Sequence, residues 1–191
     1  MLGANVLKKW NQAATRLRND VRGASAVEFA FILPLMLTLF FGLVEVTSGV
    51  EADRKVTLTA RALSDVISQT TAVTDTQISD SFAAIANIMS PYNVATIKSV
   101  VSEVKISGSG QATVAWSKAN SNGTARATNS SVTIPSSLAV PNTYLIWSEV
   151  SYNYKPAVSW VVASTGIDLK EQFFTRPRQS NCVLYGTTSC P

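Results

Sequence analysis

Two residues near the start of the chain, Gly23 and Glu28, have types and a spacing that could do chemistry. Glu28 is the only charged residue in the apolar run 26–44. A carboxylate inside a membrane is costly at the bilayer centre and much less so near an interface, so it is by default a functional group. Because Glu28 lies within one helical turn of the boundary, it is either an ion partner for a positive group or a carboxylate that reaches the lipid headgroups.

Composition argues against most catalytic and metal chemistry. The chain has no histidine and only two cysteines, Cys182 and Cys190, which removes most metal sites and most histidine-based acid–base catalysis. The acids after the apolar run form no cluster at ligand spacing, and neither an HExxH motif nor a Gly-rich phosphate loop is present. We therefore expect no enzyme activity, no cofactor and no metal site.

The net charge of +4 resides in residues 1–22. That stretch has five basic residues and one acid, Asp20, whereas the 11 basic residues that follow it are balanced by 11 acids. A nucleic-acid-binding face would have to arise from a neutral body, so we expect no nucleic-acid partner. The basic stretch instead fits the positive-inside rule, which puts the N-terminus in the cytoplasm and the residues after about 46 outside it.

The apolar run 26–44 nearly spans a hydrocarbon core of about 30 Å, at about 1.5 Å per helical residue. No second run of comparable length occurs, so we predict a single-pass protein in contact with membrane lipid. Cys182 and Cys190 then face an oxidising compartment and are expected to form a disulfide. A signal peptide cut near Gly49 is the alternative, although its apolar region would be only about 7–15 residues long.

The order of features around Gly23 resembles the processing site of type IV pilins: a basic leader, the glycine, a glutamate five residues later and a continuous apolar helix. More narrowly, RGASAVEFAFILPLMLTLFFGLVE resembles the opening of the TadE-like minor pseudopilins of the Tad (tight adherence) type IVb pilus system. The resemblance rests on the core R-G-x-x-A-V-E-F-A, on Pro34 and on the ending Phe41, Gly42 and Glu45. It covers residues 16 to about 67.

This resemblance implies that a prepilin peptidase cuts between Gly23 and Ala24, and that Glu28 guides assembly. It also implies that the partners are other pilins or pseudopilins and the assembly platform of the bacterial inner membrane, with the C-terminal domain in the periplasm. A physical reason supports the role of Glu28. The cut would create a cationic amine on Ala24 in a low-dielectric setting, and Glu28 is the only nearby anion able to compensate it.

Two further features of the apolar run concern helix shape and packing. Pro34 lacks the N–H that would bond to the carbonyl of Ala30, so it should bend the helix there. Gly42 and Gly49 are seven residues apart, lie on one helix face, and could admit another helix at close range.

After the apolar run the pattern predicts more helix and then strands. Val56, Ala60, Leu63 and Ile67 recur at helical spacing, so the first helix should continue to about residue 69. A second helix is predicted, with Asp75 at its start and Gln77 to Met89 as its body, ended by Ser90 and Pro91. From residue 94 alternation predicts a hairpin, with Val104 and Ile106 on one strand and Ala112, Val114 and Trp116 on the other, followed by a long strand within 143–155. The expected fold is α+β and pilin-like, with a long transmembrane helix, a small helix and an antiparallel β head.

These inferences divide the chain into five segments: a basic cytoplasmic leader (1–23), a transmembrane helix (24–46), a helical stalk (47–90), a β-rich periplasmic head (91–175) and a disulfide-closed tail (176–191). The predicted function is that of a minor pseudopilin, which takes part in assembly of a Tad-type pilus or secretion apparatus by lateral helix association in the inner membrane. The alternatives are an uncleaved, membrane-anchored periplasmic binding or scaffold protein and a secreted protein cut near Gly49.

Overall fold

The computed structural model describes residues 15–16, 22–156, 166–186 and 190. The predicted leader therefore lies outside the described residues except for Thr15, Arg16, Arg22 and Gly23. The chain divides into two compact units, Met1–Val46 and Thr47–Pro191, and each is described by itself.

Helix α1, Arg22–Ser68, runs through the predicted membrane segment and the first part of the predicted stalk. Among the described residues it is the one helix long and apolar enough to cross a membrane, as expected for a single-pass protein. In the first unit every large apolar side chain between residues 27 and 46 is more than a third exposed, and Phe31 is the most exposed at 79%. So much apolar surface requires lipid or other helices to cover it.

In the second unit, α1 buries one face in the core of the head. Val56, Ala60, Leu63 and Ile67, which the helical spacing had put on one face, are each at most 1% exposed. They pack in two clusters with side chains from the sheet, and this confirms that the apolar periodicity beyond residue 46 belongs to a core-facing helix.

Helix α2, Asp75–Ala86, begins at a capping box. The side chain of Thr74 accepts a hydrogen bond from the backbone of Gln77, whose side chain accepts one from the backbone of Thr74. This pair satisfies two of the N–H groups that a helix start leaves without partners. A short 3-10 turn, Asn87–Met89, follows directly, so that the predicted helix is confirmed in position, with Asp75 as its first residue and a 3-10 turn as its end.

The strands of the head are β1 Ala72–Val73, β2 Lys98–Ile106, β3 Ala112–Ala119, β4 Ser131–Val132, β5 Thr143–Tyr154, β6 Ile167–Thr175 and β7 Leu184–Tyr185. Five of them form an antiparallel sheet with the strand order β4-β3-β2-β5-β6. A separate parallel pair joins β1 to β7. The α+β prediction is thereby confirmed.

The predicted hairpin is formed by β2 and β3, but its side chains do not all face as the alternation suggests. The register shifts between Glu103, which pairs with Trp116, and Val104, which pairs with Val114. Ala115 is the extra residue of a β-bulge, which reverses the alternation of β3. Trp116 therefore lies on the helix-facing side of the sheet, opposite to Ala112 and Val114.

Gly166 precedes β6 and provides a test of backbone strain. It has φ +81°, and an added Cβ would lie 2.5 Å from Asn153 Oδ1 and 2.9 Å from the carbonyl oxygen of Tyr154. We expect Gly166→Ala to lower the free energy of unfolding by about 1–3 kcal/mol, measured by chemical denaturation of the detergent-solubilised protein. Gly110 has nearly the same φ, +80°, with nothing within 4 Å. Gly110→Ala should cost less, and an equal cost would show that the contacts of Gly166 are irrelevant.

Candidate processing and assembly site

The residues of the predicted processing site lie at the start of α1. Gly23 and Ala24 are helical and exposed, and a Cβ added to Gly23 would meet nothing within 4 Å outside its own turn of helix. The peptide bond between them is thus not covered by other described parts of the chain.

Ala24 and Glu28 share one face of α1. Both are exposed and four residues apart, which separates them by about 6 Å along the axis. Side chains of an α-helix tilt toward its N-terminus, so the carboxylate of Glu28 can extend toward the turn that begins at Ala24. This arrangement suits Glu28 to compensate an amine on Ala24, within one chain or between neighbouring chains.

Pro34 lies inside α1, and the helix continues past it. Four residues later the hydroxyl of Thr38 donates a hydrogen bond to the Pro34 carbonyl at 2.8 Å. The one uncharged polar side chain of the apolar run is therefore satisfied within the helix, as a lipid environment requires. This bond was not predicted, although the i to i+4 spacing of Thr38 and Pro34 is its signal in the sequence. The bend at Pro34 remains a prediction.

The glycines of α1 differ in their surroundings. A Cβ on Gly42 would meet nothing within 4 Å, whereas one on Gly49 would lie 3.7 Å from the ring of Tyr154. The face of Gly49 is therefore already used by the head of its own chain, and of these two glycines only Gly42 keeps the open space that close approach of a second helix needs.

The two cysteines form the predicted disulfide, with their Cα atoms 5.8 Å apart. Beside it the C-terminal segment, residues 178–186, attaches to the end of α1 and to the chain that follows. The Arg178 N–H donates to the Ser68 carbonyl at 2.8 Å, and the Leu184 N–H donates to the Thr71 carbonyl at 3.0 Å. The Arg178 guanidinium also pairs with Asp65.

A groove of about 700 Å³ crosses the sheet face that is turned away from the helices. Beside it Arg126 makes two 2.7 Å hydrogen bonds to Glu149 and lies over the Trp147 ring, 4.1 Å from its centroid. Trp147 is covered by this guanidinium and by stacking on Phe174. The aromatic side chains of β5 therefore serve packing and do not form an open platform for ligands.

The described residues contain no group of three His, Cys, Asp or Glu side chains that could hold a metal ion. Ser102 and Lys105 have the Ser-x-x-Lys spacing, but positions three apart on a strand face opposite sides of a sheet. The hydroxyl of Ser102 instead donates to Ser117 at 2.8 Å.

Residues 23–64 match the family model described as TadE-like protein. This segment, 42 of the 191 residues, is similar to the TadE-like family. No curated protein and no solved structure matches the chain. The TadE-like segment begins at Gly23 itself, includes Ala24, Glu28 and Pro34, and continues along the core-facing part of α1. It confirms the resemblance seen in the sequence, and the β head lies beyond it.

Proposed function

We propose that this chain is a minor pseudopilin that takes part in assembly of a Tad-type pilus or secretion apparatus. The TadE-like match, which covers the apolar helix from Gly23 onward, supports association with the Tad pilus system. That match is the observation that carries the proposal. The remaining steps rest on charge and exposure.

In this proposal α1 crosses the inner membrane with the basic leader in the cytoplasm and the head in the periplasm. The concentration of net positive charge before Gly23 favours that orientation. A prepilin peptidase cuts after Gly23, and the chain then associates with other pilins through the exposed apolar face of α1. The open space at Gly42 supports close approach of a second helix.

Glu28 would set the register of this association. A charged amine on Ala24 and a carboxylate on Glu28 are each costly in lipid when unpaired, so subunits would favour the axial position in which every such charge has a partner. A purely apolar helix face lacks this preference because lipid tails compete equally well for it.

The test is the substitution Glu28→Gln, which keeps the shape of the side chain and removes its charge. We expect the variant to be inserted and cut normally, while the fraction that co-purifies with other pilus subunits falls about tenfold or more, the equivalent of about 1.4 kcal/mol. Glu51→Gln is the matched control, since Glu51 is an exposed acid on the same helix, paired loosely with Lys55 at 3.7 Å. Equal incorporation of the two variants would contradict the role of Glu28.

A further inference from the structure

Glu103 is a carboxyl group inside the core of the head. It is fully buried on the helix-facing side of β2, next to the cluster that contains Val101, Trp116 and Val183. Its Oε1 accepts a 2.6 Å hydrogen bond from the backbone N–H of Val183, and its Oε2 has no hydrogen-bond partner among the described residues. A buried carboxylate with an unsatisfied oxygen favours its neutral form.

The group that Glu103 contacts belongs to the C-terminal segment. Besides the N–H that bonds to Glu103, Val183 has a carbonyl that accepts a 2.8 Å hydrogen bond from Trp116 Nε1. Both polar groups of this residue are therefore held by side chains of the sheet. Val183 and Cys182 are themselves fully buried, so the C-terminal segment covers the site where Glu103 lies.

The ionisable groups on the surrounding elements do not neutralise Glu103. On β3 and α2, Lys118 and Asp75 form a 2.8 Å ion pair that Tyr185 of β7 joins. The hydrogen bond between Lys118 and Asp75 raises the pKa of Lys118 and lowers the pKa of Asp75. Neither group therefore changes its charge near neutral pH. On β5, burial and the charge of Glu103 raise the pKa of Tyr144.

Arg178 pairs with Asp65 of α1, and Lys105 of β2 is exposed. No ion pair joins Glu103 to a basic side chain in the described part of the chain.

We propose that Glu103 is a pH-sensitive latch for the C-terminal segment, closed when the carboxyl group is neutral and loosened when it ionises. Opening the segment lets water solvate the carboxylate. In the closed state, the single hydrogen bond from the Val183 N–H does not replace this solvation. The disulfide keeps the end of the chain in its small loop in either state. The latch is independent of the proposed role of α1.

The direction of the effect follows from proton linkage. Burial raises the pKa of Glu103 to about 7 from its ordinary value of 4.5, against the lowering effect of its hydrogen bond from the Val183 N–H and of the nearby Trp116 N–H. The closed state then holds its proton more tightly than the open state does. Closure is strongest at low pH and weakens as pH rises through the interval between these two values, by up to about tenfold in the open-to-closed ratio per pH unit.

Hydrogen exchange at the Val183 amide tests this latch in the full-length protein in detergent. Protection, corrected for the intrinsic pH dependence of exchange, should fall about tenfold or more between pH 5.5 and pH 8. In Glu103→Gln it should not change, because the amide keeps an acceptor oxygen and cannot ionise. Glu149→Gln is the control: Glu149 is bound to Arg126 on the other sheet face and should leave the pH dependence intact.

Equal protection of wild-type Val183 at both pH values would overturn the latch, as would the same fall in Glu103→Gln. A carbon-13 NMR titration of the Glu103 carboxyl in the wild-type protein gives a second test that needs no variant. A midpoint well above 4.5 is expected, and a midpoint at 4.5 would overturn the proposal.

Discussion

Replacing Leu63 by alanine is expected to lower the free energy of unfolding of the head by about 2–5 kcal/mol. Leu63 is fully buried and packs in one cluster with Val101, Trp116 and Ile146. Its removal leaves a cavity between α1 and the sheet. Urea unfolding of the detergent-solubilised protein, followed by tryptophan fluorescence, measures the change.

Leu58→Ala is the matched control for this experiment. Leu58 lies on the same helix and is 46% exposed. Its truncation deletes the same atoms without opening a core cavity, so the cost should be below about 1 kcal/mol. Similar losses for the two variants would contradict the conclusion that α1 forms one wall of the core of the head.

Gly23→Leu is expected to abolish processing, so that the uncut precursor accumulates in the membrane. The leucine side chain would lie beside the peptide bond between Gly23 and Ala24, where the proposed peptidase has to bind. Within the chain itself, a Cβ added at Gly23 meets nothing within 4 Å, so the substitution causes no clash there. Because leucine is a better helix former than glycine, the substitution should not weaken the start of α1. The mass of the membrane-extracted chain measures the outcome.

Gly42→Leu provides the comparison for Gly23→Leu. Gly42 is also helical, with nothing within 4 Å of an added Cβ, but it is 19 residues further along the chain. This variant should be cut like the wild type. Normal processing of Gly23→Leu, or a block in Gly42→Leu as well, would contradict a cut specified at Gly23.

Local patterns in the sequence predicted much of the fold. The 3.6-residue period of Val56 to Ile67 determined which face of α1 is buried, because that period is a property of the helix alone. The bulge at Ala115 could not be predicted, since one extra residue in β3 depends on its pairing with β2. In the sequence, Glu103 and Lys105 alternate with Val104 and Ile106, a pattern typical of a strand with one solvent-facing side. Nothing in this alternation shows that helices cover the side on which Glu103 lies.

The processing and assembly site on α1 and the Glu103 latch also differ in how far they could be predicted from the sequence. Gly23, Glu28 and Pro34 lie within 12 residues of one helix, so their spacing alone predicted their relation. The latch joins Glu103 to the backbone of Val183, 80 residues away. A backbone N–H has no residue-specific signal, and only the fold brings it to the carboxyl group.

The N-terminal sequence of the mature protein extracted from membranes tests the central claim most directly. A pseudopilin processed at Gly23 has Ala24 as its first residue, and we expect that result. Met1 or Leu2 would contradict processing and favour an anchored periplasmic binding or scaffold protein. A start near residue 50 would contradict membrane retention, because the apolar part of α1 would then be absent from the mature chain.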